Sequence, residues 1–414
     1  MIKQVEKGNT LQVKGPARVN VLEGKIEVFG KLILPEEEEK AKPETPSKIM
    51  LDENSIIVPS ANTYPFYAVE KSKLEIYTNS EENLTLVEEN TISDEWIEIK
   101  DSILKIIEKE KKDTPIKISV LGVSTGKTTL IKYIANSLKR EGFNGGYLDS
   151  DLGQQIIYLP TTLNIGEVEK TVITNDDIKA EDTVFIGATF PKGNYKFILA
   201  KACNKLIEDY LEEHEDTDFI LIDTDGWIKQ GETSVVYKNY FIDTVNPDIL
   251  IIFYDEEIEE LKEIEENARK REERTIYHIK EKNDFFYDKD KEERRFLRQS
   301  QFAKVLEDFK KTTIPLDDIK FIKWDFDKEK DEIIEKEINI RELAQLPYHY
   351  VIIALLDEDS EIINIGLLFY INIEKDYILL FTDISYKEEI RIDKILLGSL
   401  RLSTKGNFQG YLYL

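Results

Sequence analysis

Gly122-Val123-Ser124-Thr125-Gly126-Lys127-Thr128-Thr129 gathers two glycines, a lysine and four hydroxyl side chains into eight residues. Glycines let a loop curl until successive backbone N–H groups converge on an anion, and a helix starting there adds the positive end of its dipole. At this spacing Lys127 would reach the β- and γ-phosphate oxygens of a nucleotide, and the Thr128 hydroxyl would bind Mg²⁺. All eight residues are therefore read as a phosphate-binding loop for ATP. The loop is irregular. The usual pattern is G-x-x-x-x-G-K-[ST], and here Leu121 stands in the first-glycine place while Gly122 comes one residue late. One amide donor fewer predicts weaker ATP binding than full spacing would give.

Asp149-Ser150-Asp151-Leu152-Gly153-Gln154 follows the loop at a short distance. Two carboxylates beside bound phosphates can divide the work, one organising Mg²⁺ through water and the other taking the proton of an attacking hydroxyl. Asp and Gly also suit a capped turn, so the same residues have a purely structural reading. Farther on, Arg294 and Arg298 are four residues apart. On a helix they share one face, where paired guanidiniums could bracket a transferring phosphoryl group. The alternative is a charged solvent face, which also suits Arg269, Arg271 and Arg274.

These groups need elements to hold them. Ile116–Leu121 reads as a strand and Thr128–Arg140 as a helix with Leu130, Ile131, Ile134 and Leu138 on one face, which puts the glycine loop between strand and helix. Asp218–Asp223 and Asp248–Tyr254 are continuous apolar runs, as expected for strands buried on both faces of a parallel sheet. Trp96–Lys112 suits a helix. The alternation predicts an α/β domain with a parallel sheet over 96–312. Short alternating runs at Leu11–Lys14, Arg18–Val21, Lys25–Phe29, Lys31–Leu34, Ser55–Pro59 and Lys73–Tyr77 predict a small β domain over 1–95, interrupted by a charged loop at Glu36–Pro46. Residues 255–312 are dominated by Glu, Lys and Arg and read as a solvated helical excursion. Strands return in a β-rich domain over 313–414.

Composition narrows the function. The 414 residues carry 56 Lys+Arg against 82 Asp+Glu, a net charge of −26, so the chain is no polycation gripping nucleic acid indiscriminately. Any polyanion must be held by a local basic site or a metal. One cysteine, Cys203, excludes an internal disulfide framework and a Cys-rich zinc module, and three scattered histidines argue against a His-rich metal site. No run approaches a membrane span, which predicts a soluble, intracellular and cytoplasmic protein without membrane contact.

Three more short motifs keep a fixed order after the glycine loop and the D-x-D-x-G-Q stretch: Gly187-Ala-Thr-Phe-Pro-Lys-Gly193, Ile222-Asp-Thr-Asp-Gly-Trp227 and Arg294-Arg-Phe-Leu-Arg298. Together they resemble the polynucleotide 5′-hydroxyl-kinase family, which includes the RNA kinase of tRNA splicing and pre-mRNA 3′ processing and the ribosomal-RNA processing kinase. The resemblance covers most of the chain and is weakest in the last hundred residues. It implies that Gly122 to Thr129 hold ATP, with Thr128 and Asp149 at Mg²⁺, and that Asp151 is the base for the 5′-hydroxyl. It places Gln154 on the nucleic-acid side and makes Thr189, Pro191 and Gly193 part of a clasp on the substrate's terminal phosphate. Trp227 is then a platform for a base, and Arg294 and Arg298 are the paired arginines of a lid. In the family Asn often opens the Gly-Trp element. Here Asp223-Thr224-Asp225 stands instead, which leaves the local charge open.

The expected activity is transfer of the ATP γ-phosphate to the 5′-hydroxyl of RNA or DNA. A rival is a nucleotide-bound scaffold of an RNA-processing complex. The short loop favours the scaffold, while the complete D-x-D-x-G-Q and the arginine pair favour the enzyme. A regulatory GTPase fits less well, because no N/T-K-x-D base-reading motif follows a late strand.

Overall fold

The computed structural model describes residues 1–35, 54–109, 114–123, 126–174, 177–281, 285, 289–316, 319–389 and 391–414. The expected loop at 36–46 therefore falls outside the described residues, and so do Ser124 and Thr125.

The apolar runs build a seven-stranded central sheet in the order Asp182–Phe185, Thr162–Glu167, Gly145–Asp149, Phe219–Asp223, Ile116–Leu121, Ile249–Phe253, Thr275–Ile279. The last five are parallel, and the first two add an antiparallel edge. Helices cover both faces because side chains alternate across a strand, so a continuously apolar strand feeds two cores. On one face Ile118, Val120 and Ile251 pack with Ile99 and Ile103 of the Asp94–Lys109 helix and Leu130 and Ile134 of the Lys127–Arg140 helix. On the other, Leu148, Ile220 and Ile222 meet Leu199 and Cys203 of the Tyr195–Glu213 helix and Phe241 of the Glu232–Val245 helix.

The 255–312 stretch is not wholly a solvated excursion. Its first part belongs to the sheet domain: the Glu259–Ala268 helix buries Leu261, Ile264 and Ala268 against Leu250 and Ile252, and Thr275–Ile279 is the outermost parallel strand. Leu261, Ile264 and Ala268 keep helical spacing, so charge density hid an ordinary amphipathic face. Arg274 is buried and donates to the carbonyls of Pro247 at 2.9 Å and Ala268 at 3.0 Å, a structural role. Among the described residues of this stretch, the Lys291–Leu306 helix keeps the expected character, with Phe302 and Leu306 its buried residues. It begins with a capping box, in which Asp290 accepts from the amides of Glu292 and Glu293 while Glu293 accepts from Asp290 N–H.

Before the central sheet, the chain forms a four-stranded and a five-stranded antiparallel sheet sharing one core. They sit against the back of the Lys127–Arg140 helix, where Asn136 Nδ2 donates to the carbonyls of Phe29 and Val172. After the central sheet comes an eight-stranded sheet whose first strand is Lys310–Pro315, so a boundary at 312/313 falls inside a strand. The core of this last sheet includes Phe302 and Leu306 and Phe185 of the central sheet's edge, which roots the Lys291–Leu306 helix at its C-terminal end. Among the described residues, no helix is long and apolar enough to cross a membrane.

Candidate functional site

The carboxyl ends of three adjacent parallel strands converge, the usual place for a ligand in such a sheet. Leu121 ends the central strand, fully buried and paired with Ile252. The residue in the first-glycine place is thus a core strand residue, and the loop starts at Gly122. There a Cβ would lie 2.6 Å from the Cβ of Phe253, so the loop's close approach to the next strand requires glycine. Gly126 has φ +107°, in the region open chiefly to glycine, and packs over Phe253 and Trp96. Lys127 opens the helix. Its ammonium is buried and donates to the Gly122 carbonyl at 2.9 Å, spanning the loop. Burial lowers its pKa, while Asp223 and Asp151 favour its charge. Val123, Thr128 and Thr129 are half-buried around the same opening.

Thr128 Oγ1 donates to Asp223 Oδ2 at 2.7 Å, and Tyr147 O–H donates to the same oxygen at 3.1 Å. Asp223 is therefore the carboxylate that the sheet delivers to the loop threonine. Sequence reasoning left it as an ambiguous residue of the Gly-Trp element. Its signal was present, since an acidic residue ends an apolar strand that pairs directly with the loop's strand. Asp149 is opposite Asp223 in the sheet and completely buried. Its carboxylate accepts from the amides of Asp151 at 3.1 Å and Ile156 at 2.6 Å, so it ties down the turn that follows. Burial, then Asp223, pushes its pKa well above the carboxylate range. The capped turn and the carboxylate pair are both present, in one structure.

Asp151 Oδ1 accepts from the amides of Gly153 at 2.8 Å and Gln154 at 3.0 Å. Its pKa is raised by burial and next by Asp225, and is opposed by those amides and by Lys127. The charge left open at Asp223-Thr224-Asp225 is resolved by pairing. Asp225 accepts from Lys238 Nζ at 2.9 Å, Tyr237 O–H at 2.6 Å and Trp227 N–H at 2.8 Å. Lys238 is fully buried, so removing either partner would strand a charge. Trp227 is half-buried, its ring 6.0 Å from that of Tyr237 in an edge arrangement. Gly226, just before it, lies close against the phosphate loop, where a Cβ would be 3.3 Å from the Val123 carbonyl and 3.5 Å from Lys127 Nζ. Trp227→Ala is expected to keep the fold and weaken oligonucleotide binding by about 1–3 kcal/mol, the range for one lost base stack, measured by titrating a labelled strand. Loss of soluble protein would make Trp227 a core residue only.

The arginine pair lies on the Lys291–Leu306 helix as the spacing predicts, but the two side chains differ. Arg298 Nε donates to the Gly153 carbonyl at 2.9 Å, and Asp151 is its leading charge partner. Arg294 is exposed and meets the turn through its carbonyl, which accepts from Gln154 Nε2 at 3.3 Å. Thr189 is buried, its carbonyl 3.2 Å from where a Cβ on Gly153 would sit, and its hydroxyl is 3.4 Å from Tyr411 O–H. Pro191 is buried and Gly193 is exposed at φ +64°. The Gly187 carbonyl accepts from Ser399 N–H at 2.7 Å, anchoring this loop to the last sheet.

A glycine loop between a parallel strand and a helix, with Lys127 and Thr128 at its end and Asp223 on the adjacent strand, defines a P-loop nucleotide-binding protein. Residues 122–308 match the family model for the P-loop of the mRNA cleavage and polyadenylation factor CLP1. Over this segment the chain is similar to the CLP1 P-loop family, and proteins named as polyribonucleotide 5′-hydroxyl kinases are among its relatives. It is 29% identical to a polyribonucleotide 5′-hydroxyl-kinase of Methanocaldococcus jannaschii over 72% of this chain and 90% of that one. It is 32% identical to a protein of the same name from Pyrococcus abyssi over 53% of this chain and 58% of that one. The fold is that of Clp1p solved in complex with Pcf11p, with a TM-score of 0.72 over 97% of both chains at 14% identity.

Proposed function

We propose that this protein is an ATP-dependent polynucleotide 5′-hydroxyl kinase acting on RNA, with DNA a substrate to be compared. One observation carries the reading. Asp151 sits among Lys127 of the phosphate loop, Arg298 of the Lys291–Leu306 helix and Asp225, with its pKa raised. A carboxylate more basic than usual, between the cations that would face a γ-phosphate, is suited to accept the proton of a hydroxyl attacking that phosphorus. The new P–O bond forms as the bond to the β-phosphate oxygen breaks, ADP leaves, and the proton goes to Asp151. Lys127 and Arg298 offset the charge developing on the transferring group.

The donor set fits Mg²⁺. Thr128 and Asp223 present hard oxygens in contact, and Asp149, Asp151 and Asp223 all have raised pKa values, first from burial and then from neighbouring carboxylates, so a cation there would relieve both. Among the described residues, no cluster of three His, Cys, Asp or Glu side chains could hold a metal alone. That suits an ion bound largely through nucleotide phosphates and water. When bound, it would neutralise charge between the β- and γ-phosphates.

Labelled γ-phosphate should pass from ATP to a 5′-hydroxyl oligonucleotide, with RNA and DNA assayed side by side. ATP binding without transfer to either would return the chain to the scaffold reading. Arg298→Ala should lower kcat more than it raises the KM for ATP, because a cation on the transferring group acts most strongly in the transition state. A pure KM effect would demote Arg298 to nucleotide binding. The expectation for Arg294→Ala has the same sign and a smaller size, since Arg294 is the more exposed of the two.

A further inference from the structure

Beyond the Thr189 loop lies a cavity of about 250 Å³ that no step of the phosphoryl transfer uses. Its walls are the Ala188–Asn194 loop, Lys323 and Trp324, and the segment following the Phe408–Tyr411 strand. The rim is aromatic and exposed. Tyr413 is 68% and Phe408 45% exposed, large apolar faces left to water. The rings form a chain: Phe190 to Tyr411 at 5.6 Å, Phe408 to Tyr411 at 5.1 Å, and Tyr411 to Tyr413 at 5.9 Å. Lys192 Nζ lies 5.3 Å from the Tyr413 ring centre. Lys323 lines the same cavity, its ammonium donating to the Leu414 carbonyl at 2.8 Å. Among the described residues lining the cavity, the one acidic side chain is Asp325, which accepts from Asn194 Nδ2 at 2.8 Å and lies 3.9 Å from Lys336 Nζ.

This groove borders the proposed site through Tyr411. Tyr411 O–H is within 3.4 Å of the Thr189 hydroxyl, and Tyr411 is an electrostatic neighbour of Arg298, whose leading charge partner is Asp151. A ladder of rings, exposed at Phe408 and Tyr413 and half-buried at Phe190 and Tyr411, beside lysines is the combination that holds single strands, since every base offers a π-face and every phosphate a charge. A chain with net charge −26 has little other reason to collect lysines and bare aromatic rings there.

We propose that the groove formed by Lys192, Lys323, Tyr411 and Tyr413, with Phe408 packed against Tyr411, is a subsite for downstream nucleotides of a single-stranded substrate whose 5′ end lies at Asp151. The proposal rests on the kinase reading. It makes the last sheet part of the substrate path, with base stacking on Tyr413 giving affinity without sequence preference.

The test compares a 5′-hydroxyl dinucleotide with an oligoribonucleotide of about ten residues, within the site sizes typical of stacking grooves. Tyr413→Ala should raise the KM for the longer strand roughly tenfold, the scale of one lost stack, with kcat and dinucleotide kinetics unchanged. Tyr413→Phe should restore it. An unchanged KM for the long strand, or an equal loss with the dinucleotide, would overturn the proposal. If the unaltered protein transferred no phosphate to either substrate, the kinase reading would fall by itself. Anisotropy of the labelled long strand without ATP would then decide the groove: weaker binding by Tyr413→Ala keeps it, and equal binding removes it in favour of another occupant.

Discussion

Lys127→Ala should reduce phosphoryl transfer on the order of a thousandfold or more, the scale of losing a cation from a transferring phosphoryl group. The expectation follows from where the ammonium sits. It is buried, bonded to the Gly122 carbonyl across the loop, and its charge is favoured by Asp223 and Asp151. A bound γ-phosphate would draw it from that carbonyl at small cost, because the strongly charged partner replaces a neutral one. Lys127→Arg should also fail. Gly226 lies close enough that a Cβ there would be 3.5 Å from the ammonium, and a planar fork needs more room than a point charge. Single-turnover transfer of labelled phosphate, with a thermal melt to check folding, measures both variants. Full activity in Lys127→Ala would remove the phosphate loop from the mechanism.

The parts of this site that were legible in the sequence are those whose chemistry is local. The phosphate loop, the D-x-D-x-G-Q turn and the arginine spacing each fit within a few residues, and the strands Ile116–Leu121, Phe219–Asp223 and Ile249–Phe253 announce themselves as unbroken apolar runs. What escaped depends on contacts between distant segments. Asp223 became the partner of Thr128 only through sheet register, across 95 residues. Lys238 looks like any charged residue of the Glu232–Val245 helix until that helix is seen to bury it beneath Asp225. The Gly187 carbonyl meets the last sheet through Ser399, and no spacing rule reaches that far. The 255–279 segment was misread for a different reason. Glu, Lys and Arg on its outer face outweighed three apolar residues at helical spacing and a β-branched, aromatic run in Thr275–Ile279.

Asp151→Asn should leave ATP binding in place and cut turnover by about two to four orders of magnitude, the range for a lost general base. The substitution is clean because the Asn carbonyl can still accept from the Gly153 and Gln154 amides, so the turn keeps its shape while the proton acceptor disappears. The pH dependence has a definite sign. Burial first, then Asp225, raises the Asp151 pKa above its ordinary value, and catalysis needs the ionised form. In the unaltered protein kcat/KM should therefore fall as pH drops through that raised value, and the variant's residual rate should lose this limb. Stability runs the other way. A carboxyl whose folded pKa is raised gives stability that is fully present below the unfolded value and lost as pH rises through the folded one. Asn cannot ionise, so the variant should melt no lower than the parent at neutral pH, and the difference should vanish in acid. If ATP binding fell instead while bound ATP turned over normally, Asp151 would belong to the nucleotide site. A variant that is inactive and at least as stable is the signature of a charge kept for chemistry at a cost to the fold.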